Sequence, residues 1–274
     1  MIPFEVYHRL TAVGGLQKGR TEAVDRDPVL PVNDEVVEAT LPQLNRHVRG
    51  LVELQRLTGC RPGEVCNIRR CDIDMGGNIW LYRPKTHKGS WRGKTRTVII
   101  GPRAQELLKT YFVPDLNDYL FSPARAVEAI RAERALRRKT PCYPSHMVRN
   151  EQKRKTAPQR TPSTKYNRLS YLNAIARACD RAFPAPSPLA QRADETQSEW
   201  KARLTPEQRT SLKLWQRGHR WHPNQLRHTF ATKVRKAHGL EAAQVLLGHS
   251  RADVTQVYAE RNEELAASVA AKIG

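Results

Sequence analysis

The sequence predicts a mainly α-helical fold with one small antiparallel β-sheet, an α+β architecture. Three observations predict it. Apolar residues recur at helical spacing through most of the 274 residues, one stretch (78–100) switches to the period of strands, and no internal repeat points to a solenoid. A chain of this length can bury a sizeable core and hold one or two domains.

Residues 4–10 read as a short helix, followed by a Gly-rich exit through Gly14, Gly15 and Gly19. Residues 21–33 are polar, contain Pro28 and Pro31, and read as an extended linker. Asn33 is an N-cap for a helix through Val36, Val37 and Ala39. A second helix over 42–58 places Leu44, Val48, Leu51, Val52 and Leu54 on one face, and Thr58 to Glu64 break it and start another, with Val65 and Ile68 apolar. Runs at 79–82 and 96–100 flank a polar, Gly-containing segment with Lys85, Lys88 and Lys94, the pattern of a β-hairpin with a long basic tip. Helix resumes over 104–112 after Gly101-Pro102, and Tyr119-Leu120-Phe121 is a short apolar run. Residues 171–183 read as helix, Pro184, Pro186 and Pro188 interrupt, and 190–218 is charged and helix-compatible. Helices over 226–237, 241–247 and 262–273 complete the chain.

Charge narrows the class of partner. Lys and Arg number 47 against 27 Asp and Glu, a formal charge of +20, which favours a polyanion because each phosphate neutralised releases counterions. A ribosomal or merely basic soluble protein would share that composition. Half the excess lies in residues 122–172, with thirteen Lys/Arg against three Asp/Glu. Pro141, Pro144, Pro158 and Pro162 argue against one long helix there, leaving either a solvated, partly disordered insertion or a loop lying along a DNA backbone. No apolar run approaches the ~18 residues of a membrane span, and the N-terminus lacks the pattern of a secretory signal. Five cysteines without framework spacing suggest reduced thiols and a cytoplasmic, DNA-associated protein. Cys60, Cys66 and Cys71 cluster without a Cys-x2-Cys pair or partnering histidine, so they read as small buried residues rather than a metal site.

Four motifs concentrate the chemistry: Leu57-Thr58-Gly59-Cys60-Arg61-Pro62-Gly63-Glu64-Val65, the basic hairpin, Gln225-Leu226-Arg227-His228-Thr229-Phe230-Ala231-Thr232, and Leu247-Gly248-His249-Ser250 with Thr255-Gln256-Val257-Tyr258. A planar guanidinium can hold two phosphate oxygens at once, and Arg61 and Arg227 stand 166 positions apart, so only folding could bring them together. In order and spacing these motifs resemble the catalytic domain of the tyrosine recombinases, the phage integrase family, over about residues 35–262.

The resemblance implies a site-specific DNA recombinase or integrase that cuts and rejoins strands through a covalent 3′-phosphotyrosyl intermediate, with neither a metal nor another cofactor. It makes Arg61 and Arg227 the phosphate-clamping arginines, Glu64 a supporting acid, His249 a hydrogen-bond donor to the phosphate or to the nucleophile's surroundings, and Tyr258 the nucleophile. A hairpin lysine would protonate the leaving 5′ oxygen, Lys88 first by its place at the start of the turn and Lys85 close behind. The partners implied are double-stranded DNA and further copies of the chain in a tetrameric synapse, with exchange of the C-terminal helix carrying Leu265, Val269 and Ile273. Phage, transposon and other mobile elements use such enzymes.

Two departures qualify the resemblance. The family's third motif reads His-x-x-Arg, whereas Asn224 stands three positions before Arg227. Asparagine donates a hydrogen bond but exchanges no proton near neutrality, so tolerance of Asn as a donor is one reading and impaired proton transfer the other. In addition, family members carry an N-terminal clamping domain, and residues 1–33 here read as the end of one and its linker. Residues 34–274 then form the catalytic domain, with a basic insertion at about 122–220. The alternatives are a DNA-binding remnant that no longer cleaves and a type IB topoisomerase-like enzyme relaxing supercoils.

Overall fold

The computed structural model describes residues 3–14, 19–22, 24, 28–87, 90–93, 95–141, 143–153 and 161–248. Helix α1 (Phe4–Ala12) buries none of its residues. Helix α2 (Asp34–Thr40) starts where predicted, because the Asn33 side chain accepts from the Glu35 N–H at 3.2 Å. The helix predicted over 42–58 is in fact a 3₁₀ turn, Leu41–Gln43, followed by α3 (Arg46–Thr58). Asn45 decides the later start: its side chain accepts from the Val48 N–H at 3.0 Å, satisfying one of the orphan donors of the first turn. Gly59 ends α3 in the left-handed conformation (φ 61°), and α4 (Pro62–Cys66) follows at once.

The sheet is three-stranded and antiparallel in the order β1 (Ile73–Asp74), β2 (Trp80–Tyr82), β3 (Val98–Ile100). Tyr82 pairs with both Ile73 and Val98, and Trp80 with Ile100. The hairpin is the predicted one. Strand β1 escaped prediction because two residues are too few to show an alternation.

Helices α5 (Pro102–Lys109), α6 (Pro123–Leu136), α7 (Pro144–Gln152) and α8 (Arg168–Ala182) come next. The stretch expected as a loop or partly disordered insertion instead holds two helices, because Ser122 caps α6 and Pro123 and Pro144 each open a helix. The prolines at 141 and 144 do keep α6 and α7 separate. The uninformative stretch 190–218 holds α9 (Gln197–Arg203) and α10 (Pro206–His219). Helix α11 (Pro223–Leu247) is interrupted at Gly239 (φ 85°, ψ 176°), between the two segments predicted as separate helices. The helix predicted over 262–273 lies outside the described residues.

Helix α3 is the centre of the core and packs against α4, α5, α8, α11 and β3. Its Val48, Leu51, Val52 and Leu54 are buried, each large one worth ~1.5–3 kcal/mol of apolar transfer. Gln55 is a buried polar side chain whose hydrogen bonds tie the core together. The Gln55 amide donates to the carbonyls of Cys60 (3.1 Å) and Pro223 (2.9 Å) and accepts from the Tyr171 hydroxyl (3.1 Å), tying α3 to α8 and α11. Cys60 and Cys66 are buried as expected, but Cys71 is exposed, carried outward on the 3₁₀ turn Arg70–Asp72. Among the described residues no helix is long and apolar enough to cross a membrane, and no His/Cys/Asp/Glu group could hold a metal.

Candidate functional site

A cleft of about 460 Å³ opens where α4, the hairpin, the start of α8 and the start of α11 meet. Arg61, Glu64, Asn67, His87, Arg168, Asn224 and Arg227 are among the residues lining it. Two arginines 166 positions apart in the chain therefore share one surface. Glu64 is the one carboxylate on that lining, so the cleft favours anions.

Each arginine is oriented by backbone or buried charge. Arg61 precedes α4, where Pro62 presets the first helical turn. Its guanidinium donates to Glu64 Oε1 at 2.8 Å while its backbone N–H donates to Oε2, also at 2.8 Å. Glu64 is 2% exposed. Burial would raise its carboxyl, but the charge of Arg96 and the hydrogen bonds from Arg61 outweigh that and hold it below the usual carboxylate range.

Arg227 is buried at the cleft floor and bridges two chain segments, donating to the Gly59 carbonyl at 2.7 Å and the Leu247 carbonyl at 2.8 Å. Gly59 is also packed from above by Phe230, one turn further along α11: a Cβ there would lie 2.2 Å from the ring.

Sequence reasoning missed Arg96. It is 6% exposed, its Nε lies 3.6 Å from Glu64 Oε1, and both terminal nitrogens sit 3.3 Å from the Leu246 carbonyl. Contacts thus run in a ring from Arg61 to Glu64, to Arg96, to the end of α11, to Arg227, and back through Gly59 to the first motif. Gly248 is left-handed (φ 64°) and a Cβ on it would fall 2.2 Å from Arg96 Nη1, so the glycine of Leu-Gly-His-Ser is required by this packing. A signal was present: Arg96, Val98 and Ile100 alternate on one face, and that face is buried. Arg168, at the first position of α8, was missed too, and nothing in its local sequence marks it.

The remaining candidates divide. Asn224 is exposed at the cleft, one helical turn from Arg227. His228 lies beside it and is pushed down to about 4 by burial, then by the charges of Arg227 and His222, so it is a neutral imidazole at pH 7. The Cys60 thiol is pushed up to about 12 by burial and the charge of Glu64, which removes it as a nucleophile. Lys85 is exposed on the hairpin next to Thr86 and His87, both of which line the cleft. Lys88, His249 and Tyr258 lie outside the described residues.

Comparison with known proteins places part of the sequence and the overall fold. Residues 194–264 match the phage integrase family, a span holding the third and fourth motifs. The fold resembles that of the XerA recombinase (17% identity, TM-score 0.50, 90% of this chain and 66% of that one). It also resembles a Tn1549 transposon integrase in complex with circular intermediate DNA (12% identity, TM-score 0.51, 97% and 74%). A XerH recombinase bound to difH substrate matches at 17% identity and TM-score 0.46, over 91% of this chain and 56% of that one. The chain thus spans just under two thirds of the XerA structure and little over half of the XerH structure. No curated protein matches it. Residues 194–264 are thus similar to the phage integrase family, and the chain as a whole shares the fold of the XerA recombinase and Tn1549 integrase structures.

Proposed function

We propose that the protein is a site-specific DNA recombinase or integrase that breaks and rejoins strands through a 3′-phosphotyrosyl intermediate on Tyr258. The observation that carries this reading is the shared cleft of Arg61 and Arg227, whose guanidinium groups suit the charge that builds on non-bridging oxygens during attack. The Tyr258 oxygen attacks phosphorus, the 5′ oxygen leaves and takes a proton from Lys88 or Lys85, and the phosphodiester energy is kept in the new bond. Attack by a 5′ hydroxyl reverses the step and reseals the strand. His249, one residue past Gly248, adds a donor to the phosphate. The Tn1549 integrase of similar fold is in complex with circular intermediate DNA, and a charge of +20 suits the same class of ligand. Residues 34–274 form the catalytic domain on this reading, and a tetramer assembles on DNA.

The test is covalent capture on a nicked duplex, followed by mass spectrometry of the DNA-bearing peptide. The adduct is expected on Tyr258 and is abolished by Tyr258→Phe; an adduct that survives this change overturns the assignment. Asn224, which stands at the cleft where the family has histidine, favours a second reading, a protein that grips DNA without cutting it. Tight DNA binding with no adduct from the wild-type chain would select that reading.

A further inference from the structure

Helices α6 and α7 leave the body of the protein. Ala126 is the one buried residue of α6, α7 buries none, and every residue with a described side chain from 128 to 153 is exposed. Helices of fourteen and nine residues are at or below the length at which an isolated helix is marginal in water, so a segment built this way gains its order from something that covers it. Residues 122–153 carry eight Lys/Arg against three Asp/Glu. Arg137 is paired with Glu133 at 2.6 Å, whereas Arg131, Arg134, Lys139 and Arg149 have no carboxylate partner among the described residues.

The roots of this segment are fixed beside the cleft. The Ala124 N–H donates to the Ser163 carbonyl at 3.1 Å, closing the excursion at its base. Two residues beyond Ser163, the Lys165 ammonium donates to Asn67 Oδ1 at 3.2 Å, and Asn67 lines the cleft. Arg168, which opens α8, lines it as well. On the other root Arg125 donates to the Tyr119 carbonyl. A duplex with a phosphate in the cleft would therefore run past the base of a basic helical arm. Fourteen residues of α6 measure ~21 Å, about the rise of six base pairs at 3.4 Å each.

We infer that α6 and α7 form an arm that grips the DNA backbone next to the scissile phosphate, through Arg131, Arg134, Lys139 and Arg149. The inference rests on the DNA-processing reading above and adds to it a second, sequence-independent contact surface outside the cleft. Phosphate contacts of this kind position the duplex and make affinity depend on salt.

The experiment compares the full chain with its R131Q/R134Q/K139Q/R149Q variant, glutamine being a good helix former that leaves α6 intact. Binding to one duplex is measured across a salt series, with circular dichroism as the check on folding. Each lost phosphate contact lowers the slope of log K against log salt by ~0.9. We expect a slope smaller by ~2 or more, an affinity more than ~10-fold weaker at physiological salt, and adduct formation preserved at saturating protein. A wild-type chain that binds DNA while the variant binds with the same slope overturns the arm and leaves the proposed function standing. That outcome would also be expected if Tyr143, Met147 and Val148, exposed on the same segment, served a protein partner instead. A wild-type chain that binds no DNA overturns both.

Discussion

The guanidinium of Arg227 donates a 2.7 Å hydrogen bond to the carbonyl of Gly59, 168 residues earlier in the chain. One turn on along the same helix, Phe230 covers Gly59 so closely that a Cβ would lie 2.2 Å from its ring. The first and third motifs are thus locked to each other through a glycine whose φ of 61° already excludes most residues.

Gly59→Ala therefore meets two penalties at one position. Left-handed strain costs ~1–2 kcal/mol, and displacement of Phe230 adds to it. We expect a loss of ~2 kcal/mol or more in urea denaturation, together with reduced adduct formation, because the same shift moves the Gly59 carbonyl away from Arg227. A loss well under 1 kcal/mol would mean that the junction relaxes freely.

Arg61 and Glu64 should separate by phenotype even though they form one ion pair. The Arg61 side chain is 29% exposed, so Arg61→Ala is expected to cost little stability while lowering cleavage ~10²-fold or more, the usual effect of losing one transition-state donor. Glu64 neutralises buried Arg96 as well, so Glu64→Gln strands a buried cation and should cost several kcal/mol, ~3–5 by precedent for broken buried pairs. Paired denaturation and covalent-capture measurements on the two variants test the distinction.

Asn224 should reveal whether this position belongs to the proton path. With Asn224→His, adduct formation is expected to quicken near pH 6–7 and to follow the titration of one added imidazole. An unchanged pH profile would show that Asn224 acts only as a hydrogen-bond donor or not at all.

Acid should destabilise the fold before the carboxylates titrate. His47 and His228 are each pushed down to about 4, chiefly by burial, then by neighbouring charges, Arg125 and Arg46 in one case and Arg227 and His222 in the other. The unfolded chain takes up these protons near pH 6.5 while the folded chain resists, so stability is full above ~6.5 and falls as pH drops towards 4. Glu64, held low in the folded state, adds a further loss at lower pH. Melting temperatures measured from pH 7 to 4 should fall steadily, and His228→Gln should flatten part of that slope.

The sequence by itself determined the helix cap at Asn33, the helix break and restart around Gly59 to Gly63, the hairpin and the division of α11 near Gly239, and it marked Arg61 and Arg227 as candidate site residues. These are local matters: a cap, a proline, a period or a short motif is complete within a few residues. The three-dimensional fold alone decided that Arg61 and Arg227 share a cleft, that Arg168 joins them, and that Arg96 is the buried cation between Glu64 and the end of α11. Those facts depend on segments up to 168 positions apart meeting around α3, and pairing free energy between distant groups leaves no periodic trace. Arg96 lies between the two cases. Its alternation with Val98 and Ile100 showed that it faced inward, but what it would meet there was set by packing.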